Sequence, residues 1–154
     1  MQVDSKEIKD FSPDINIDVS SIFGMKKKMK VQGFKEKSAL VPTIDENYIF
    51  DEETTTSILV GFKFNKKVLI QGLHGTGKSS HIEQVAARLN WPCLRINLDG
   101  HISRFDLLGK DSIVLKDNKQ VTTFKEGLLP WAIQNPVALV LDEYDAGRPD
   151  VMFV

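Results

Sequence analysis

From about residue 51 the apolar positions of this chain fall into regular spacings. Asp51, Glu52, Glu53 and Thr54 suit a helix start, since negative side chains favour the first turn, and Ile58, Leu59 and Phe62 follow at helical spacing. Gly61 weakens that pattern near its end. Residues 67–71 (KVLIQ) form a short apolar run ending at a glycine-rich turn, which predicts a buried strand. Over residues 79–89, Ile82, Val85, Ala86 and Leu89 mark one helical face, and Pro92 blocks continuation. Residues 93–98 alternate and predict a second strand. Residues 113–115 and 120–124 flank the tetrapeptide 116–119 (KDNK) and predict a β-hairpin with a loop of about four residues. Residues 128–134 predict a short helix containing Pro130 and Trp131. Residues 137–141 (VALVL) predict a third strand covered on both faces. Strands alternating with helices argue for an α/β fold with a parallel sheet.

Residues 1–45 differ. Short polar clusters alternate with isolated apolar residues, broken by Pro13, Gly24, Gly33 and Pro42. This predicts an irregular N-terminal extension ahead of a core over 46–154. Its dense charge block, residues 26–30 (KKKMK), reads either as a solvated segment or as a contact arm for a partner subunit.

Composition narrows the classes. The chain has 154 residues, 42% of them hydrophobic and 27% charged, enough for one core and unlike a disordered chain. Twenty basic against twenty-one acidic residues disfavour a globally basic nucleic-acid binder. A single cysteine, Cys93, cannot form an internal disulfide, which fits a reducing compartment. No secretory pattern opens the chain, and its longest apolar run is far short of the roughly 20 residues a membrane span needs. A cytoplasmic protein without membrane or nucleic-acid partners is expected.

The chemistry concentrates in two places. Residues 72–79 (GLHGTGKS) match G-x-x-x-x-G-K-[ST] in full. Glycine lets a backbone wrap phosphates without a Cβ in the way. A helix beginning near Lys78 aims its N-terminal amides and positive dipole end at the same oxygens. Lys78 supplies a point charge for the β- and γ-phosphates, and the Ser79 hydroxyl suits Mg²⁺. Gly72, His74, Gly75, Thr76, Gly77, Lys78, Ser79 and Ser80 are the candidate triphosphate contacts. The second place is the end of the 137–141 run, where Asp142 and Glu143 stand side by side. Successive side chains on a strand point to opposite sides, so the pair need not share one job. Asp142 suits the Mg²⁺ shell, and Glu143 suits polarisation of the attacking water. Trp91 and Trp131 read as packing residues, Cys93 as a small core residue, and Arg104 and Arg148 as surface arginines, with reach to a phosphate across a subunit boundary as their alternative. The three histidines offer no zinc pattern with Cys93.

The wording around these motifs is narrower than the motifs. His74, residues 80–84 (SHIEQ) and residues 142–150 (DEYDAGRPD) closely resemble the ATPase subunits of aerobic cobaltochelatases, the CobS type of AAA+ protein, related to magnesium chelatase and MoxR-type ATPases. The resemblance implies a P-loop NTPase whose parallel sheet is sandwiched by helices and carries a hairpin insert around residues 116–119. It implies a homo-oligomeric ring that hydrolyses ATP with Mg²⁺. It also implies two partners: a subunit with an integrin-like domain, and a large chelatase subunit that inserts Co²⁺ into a corrin precursor, hydrogenobyrinic acid a,c-diamide, in cobalamin biosynthesis. By the same resemblance Lys78 and Ser79 carry over as nucleotide and Mg²⁺ contacts, Asp142 as the Mg²⁺-linked acid, and Glu143 as the hydrolytic carboxylate. Residues 101–106 would lie near the ring pore. The family's core continues past residue 154 into a sensor strand, an arginine finger and a helical lid. A truncated chain is therefore expected, with poor ATP hydrolysis on its own. Its sheet should either carry a gap beside the phosphate-loop strand or close it by pairing that strand directly with the Asp142 strand. A MoxR-type ATPase serving another client is the alternative.

Overall fold

The computed structural model describes residues 12–26, 28–98, 101–116 and 119–153. They fall into two compact units, one ending at Leu94 and the other beginning at Arg95. No helix among the described residues is long and apolar enough to cross a membrane.

The first unit is built on two helices. Helix α2 (Glu52–Phe64) starts where the acidic cluster predicts: the Asp51 side chain accepts from the Thr54 amide at 2.8 Å, and Glu52 and Glu53 sit in the first turn. It ends at Asn65 in the left-handed conformation. Helix α3 (Lys78–Arg88) follows the phosphate loop. Ile58 and Leu59 of α2 pack with Val85 of α3 and with Leu89 just beyond it. Gln84 of α3 clasps the approach to α2. Its side chain accepts from the Asp45 amide and donates to the Thr43 carbonyl, both at 2.9 Å.

The N-terminal region is more regular than its sequence predicts. Strands β1 (Ile15–Asp18) and β2 (Lys30–Gly33) pair antiparallel around helix α1 (Val19–Phe23). The Asp18 carboxylate accepts from the Ser20 amide at 3.1 Å, and Gly24 closes the far end of α1. The apolar residues that look isolated in the sequence, Val19, Phe23, Met25 and Val31, are buried against α2 and α3. Elements this short show no periodicity of their own, and their order comes from that shared core. Within the basic block, Lys26, Lys28 and Lys30 are exposed, Met29 packs on the core, and Lys27 lies outside the described residues.

Residues 67–71 correct the strand expectation. They form no strand and pair with none of the described strands. Ile70 packs on the core, while Leu69 is 83% exposed. An apolar run becomes a strand only when a neighbour takes up its backbone groups, and no described strand does so. Direct pairing of this run with the Asp142 strand is not found among the described residues.

The second unit mixes a parallel pair with a hairpin. Strand β3 (Cys93–Asn97) enters it across the junction, and its alternation turns Leu94 and Ile96 inward and Arg95 and Asn97 outward. It pairs in parallel with β6 (Ala138–Asp142). The fold is thus mixed α/β, with two parallel strands among the described residues. Among the described residues strand β6 has one neighbour, and Val140 alone of its residues is buried, so it is not the doubly covered strand predicted. Helix α4 (Arg104–Leu108) begins with a capping box, in which Ser103 and Asp106 bond each other's backbone amides. Leu107 of α4 joins Ile96, Leu98 and Val151 in the unit's core.

Strands β4 (Gly109–Lys116) and β5 (Lys119–Glu126) form the predicted hairpin with longer arms. Lys116 already pairs with Lys119, so both join the ladder, and the loop residues Asp117 and Asn118 lie outside the described residues. Helix α5 (Leu128–Gln134) matches its predicted span and buries Trp131. A 3₁₀ turn (Tyr144–Ala146) and helix α6 (Pro149–Met152) complete the unit. Trp91, in the first unit, meets Phe34 and Phe62 edge to face, so both tryptophans pack as expected.

Candidate functional site

The phosphate loop, in the first unit, is an exposed turn leading directly into α3. Gly75 and Gly77 hold φ of +78° and +80°, and a Cβ built on either meets nothing within 4 Å. The loop is therefore bent through conformations that favour glycine while its outer side stays open. Thr76 closes the turn by donating to the Leu73 carbonyl at 2.9 Å. The Lys78 ammonium folds over the loop and donates to the carbonyls of Gly72 and Leu73 at 2.9 and 2.8 Å. Its charge thus sits on the loop itself. Ser79 is half-buried and Ser80 exposed, both in the first turn of the eleven-residue α3, while His74 is exposed at the loop's crest. Open glycines, a lysine over the turn and a helix N-terminus fit a polyphosphate.

A residue to which sequence reasoning gave no role steadies this helix start. His81 is 7% exposed, and its Nε2 lies 2.8 Å from Thr55 Oγ1 on α2. Thr55 spends its own proton on the Asp51 carbonyl at 2.6 Å, so it accepts from His81 Nε2–H. Tyr48 and Phe50 meet the imidazole edge to face. Burial pushes the His81 pKa below its ordinary value, and the Asp51 carboxylate partly opposes this. The available signal was positional: His81, Val85 and Leu89 lie four residues apart on one face.

The carboxylates belong to the second unit. Asp142 is the last residue of β6, and Arg95 of β3 donates from Nε to its Oδ2 at 2.7 Å. A second guanidinium nitrogen contacts the same oxygen. The Glu143 amide donates to Asp142 Oδ1 at 3.1 Å. Each carboxylate oxygen thus has a partner, and a carboxylate is the donor type that suits the water shell of a hard cation. The residues present fit Mg²⁺ held through water, with Arg95 fixing the acid's orientation.

Glu143 departs from the strand picture. It lies beyond β6 with φ of +52° and ψ of +43°, in the left-handed region, and its carbonyl accepts from the Ala146 amide at 2.9 Å. The two acids diverge because the chain turns between them, rather than by strand alternation. A non-glycine residue held there costs about 1–2 kcal/mol, and such strain clusters at functional positions. Arg148, a surface arginine as expected, pairs with Asp150 at 3.1 Å.

The chain is similar in sequence to known proteins. Residues 67–153 match the AAA domain (dynein-related subfamily). The chain is 61% identical over 142 residues to the aerobic cobaltochelatase subunit CobS of a Sinorhizobium species, an alignment covering 92% of this chain and 43% of that protein. It is 30% identical over 113 residues to midasin of Dictyostelium discoideum, covering 73% of this chain and 2% of midasin. It is 26% identical over 103 residues to an uncharacterised protein of Staphylococcus haemolyticus, covering 66% of this chain and 39% of that protein. The chain therefore spans less than half the length of each of these relatives. No solved structure matches it.

Proposed function

The chain belongs to the AAA domain family, dynein-related subfamily, and from that premise we propose that it is the ATP-binding and ATP-hydrolysing part of an aerobic cobaltochelatase motor subunit. The motor powers Co²⁺ insertion into a corrin precursor in cobalamin biosynthesis, hydrogenobyrinic acid a,c-diamide being the substrate read from the family. The observation that carries this reading is the 61% identity to a cobaltochelatase subunit across 92% of the chain.

In this reading Gly72, His74, Gly75, Thr76, Gly77, Lys78, Ser79 and Ser80 hold the nucleotide. Loop amides and the start of α3 take the phosphate charge, and Lys78 exchanges its two loop carbonyls for phosphate oxygens. Ser79 and Asp142 are each read as groups that would hold Mg²⁺, and the ion would supply neutralisation of phosphate charge. Glu143 orients a water and draws its proton as the water attacks the γ-phosphorus, while the bond from that phosphorus to the β–γ bridging oxygen breaks and ADP leaves with the electron pair. The core over 46–154 is read as part of a P-loop sheet sandwiched by helices, and residues 1–45 as a partner-contact extension. Copies of the subunit form a cytoplasmic ring. That ring drives an integrin-like-domain subunit and a large chelatase subunit, which carries the cobalt chemistry. Nucleic acid and membrane play no part.

The test uses the protein with its natural flanking sequence. Glu143→Gln is expected to bind ATP as the parent does while hydrolysis falls by about 10²–10⁴-fold, the usual contribution of a positioned base. Lys78→Ala is expected to weaken ATP binding itself. Unchanged hydrolysis by Glu143→Gln would overturn the assigned role. Cobalt insertion by reconstituted subunits, lost with Glu143→Gln, separates a chelatase motor from a maturation ATPase with another client.

A further inference from the structure

The β4–β5 hairpin carries a charge pattern that the nucleotide site does not use. In its ladder Lys110 lies opposite Lys125, and Lys116 opposite Lys119. Opposed residues share a face and side chains alternate with period two, so these four lysines stand on one face. Val114 and Val121, also opposed, lie between them. That face holds no acid, since Asp111 and Glu126, the acidic residues of the described ladder, are on the other. All four lysines are exposed, and none makes an ion pair within 4 Å among the described residues. The charge of Lys110 reaches Asp106 at the hairpin's base, adding slightly to the hydrogen bonds from Ser103 that lower that carboxyl's pKa. Like charges placed directly opposite destabilise a strand pair, and this hairpin does so twice on one face.

We propose that this lysine face docks an extended acidic segment of a partner protein. Lys110 and Lys116 are six residues apart along a strand, roughly 20 Å at about 3.4 Å per residue, so the face presents two pairs of positive charge to a peptide lying along it. Carboxylates seated between opposed lysines turn their repulsion into attraction. The central valines offer a narrow apolar floor for the methylenes of glutamate. Single-stranded nucleic acid lacks its stacking platform here, because Phe124, the aromatic residue of the ladder, is on the opposite face. A membrane surface needs large apolar residues beside the lysines, and Ile113 and Leu115 are on the opposite face as well.

The probe is a fluorescein-labelled oligoglutamate peptide, followed by anisotropy with the protein in its natural flanking sequence. Binding that weakens with salt is expected for the parent. The quadruple variant Lys110→Gln, Lys116→Gln, Lys119→Gln, Lys125→Gln is expected to lose at least about tenfold in affinity, as removal of several exposed ion pairs implies. The opposite-face variant Ile113→Thr, Leu115→Thr, Phe124→Thr is expected to bind within about twofold of the parent. Should the quadruple variant fail to fold, Lys116→Gln with Lys119→Gln alone is expected to lose about threefold. No binding by the parent, or equal loss in the opposite-face variant, would overturn the proposal. So would tighter binding of oligothymidylate or of phosphatidylserine vesicles that depends on the same lysines, in favour of nucleic acid or membrane respectively.

Discussion

The phosphate loop and the carboxylate pair are held in place by different physics. Behind the loop stands a core of described residues drawn from α1, β2, α2 and α3, with Val19, Leu59, Val85 and Leu89 fully buried. A buried His81–Thr55 bond sits one turn into the helix that follows. The loop's bend is backbone geometry, and its backing is packing. The carboxylates stand on a two-stranded sheet over a smaller cluster, Ile96, Leu98, Leu107 and Val151. Asp142 is oriented there by the Arg95 guanidinium. A site half built on packing should resist salt and yield to cavities, and one built on charge should do the reverse.

Core truncation is the largest way to test this contrast. Leu59→Ala removes a fully buried side chain and is expected to cost about 2–5 kcal/mol, as a cavity that cannot collapse does. Leu107→Ala in the smaller cluster should cost less, since fewer buried partners surround it. Urea unfolding of both variants measures the difference. Equal losses would show the two cores to be equally tight and would remove half of the comparison.

These differences also explain which features the sequence made legible. The phosphate loop is local: its glycines, lysine and following helix are contiguous, and the structure bends them as residues 72–79 predict. The start of α2 is legible for the same reason, since the Asp51 cap and the acidic first turn act within a turn. Residues 67–71 misled because a strand is a relation between two segments and only one was in view. The Arg95–Asp142 pair spans 47 residues, and nothing in either segment announces it. His81 went unassigned because counts of helical apolar positions leave histidine out, although its place on the Val85–Leu89 face was visible. The turn at Glu143 contradicts strand alternation, and it is set by the 3₁₀ segment that follows rather than by the apolar run before it.

The His81–Thr55 bond gives the next largest effect. Thr55→Val keeps the shape but leaves the imidazole N–H buried without its acceptor, an expected loss of about 1–3 kcal/mol. The same pair makes the first unit sensitive to pH. Burial lowers the His81 pKa in the folded state, with Asp51 opposing, so below about 6.5 the unfolded chain takes up the proton first. Stability from this group is fully present above that value, and is lost as pH falls from it toward the lower folded pKa. Denaturant midpoints at pH 7.5 and 5.5 should therefore drop further for the parent than for His81→Gln. Identical drops would show that the imidazole is not held neutral by its surroundings.

The smallest effect falls on the carboxylate side, and its dependence on salt matters more than its size. Arg95 is 44% exposed at its side chain against 14% for Asp142, so water screens the pair from one side. Arg95→Ala is therefore expected to cost no more than about 1 kcal/mol. Because the interaction is charge on charge, the loss should shrink as ionic strength rises, the Debye length falling from about 10 Å at 0.1 M to about 3 Å at 1 M. Arg95→Lys keeps the charge but not the planar fork that reaches Asp142 Oδ2 through two nitrogens, and should recover only part of the loss. Thermal melts of the parent and both variants at low and high salt separate the contributions. A loss that is the same at both salts, or as large as that of Leu59→Ala, would mean that Arg95 acts through its packed stem. The carboxylates would then be held as the phosphate loop is, and the contrast between the two regions would be one of core size alone.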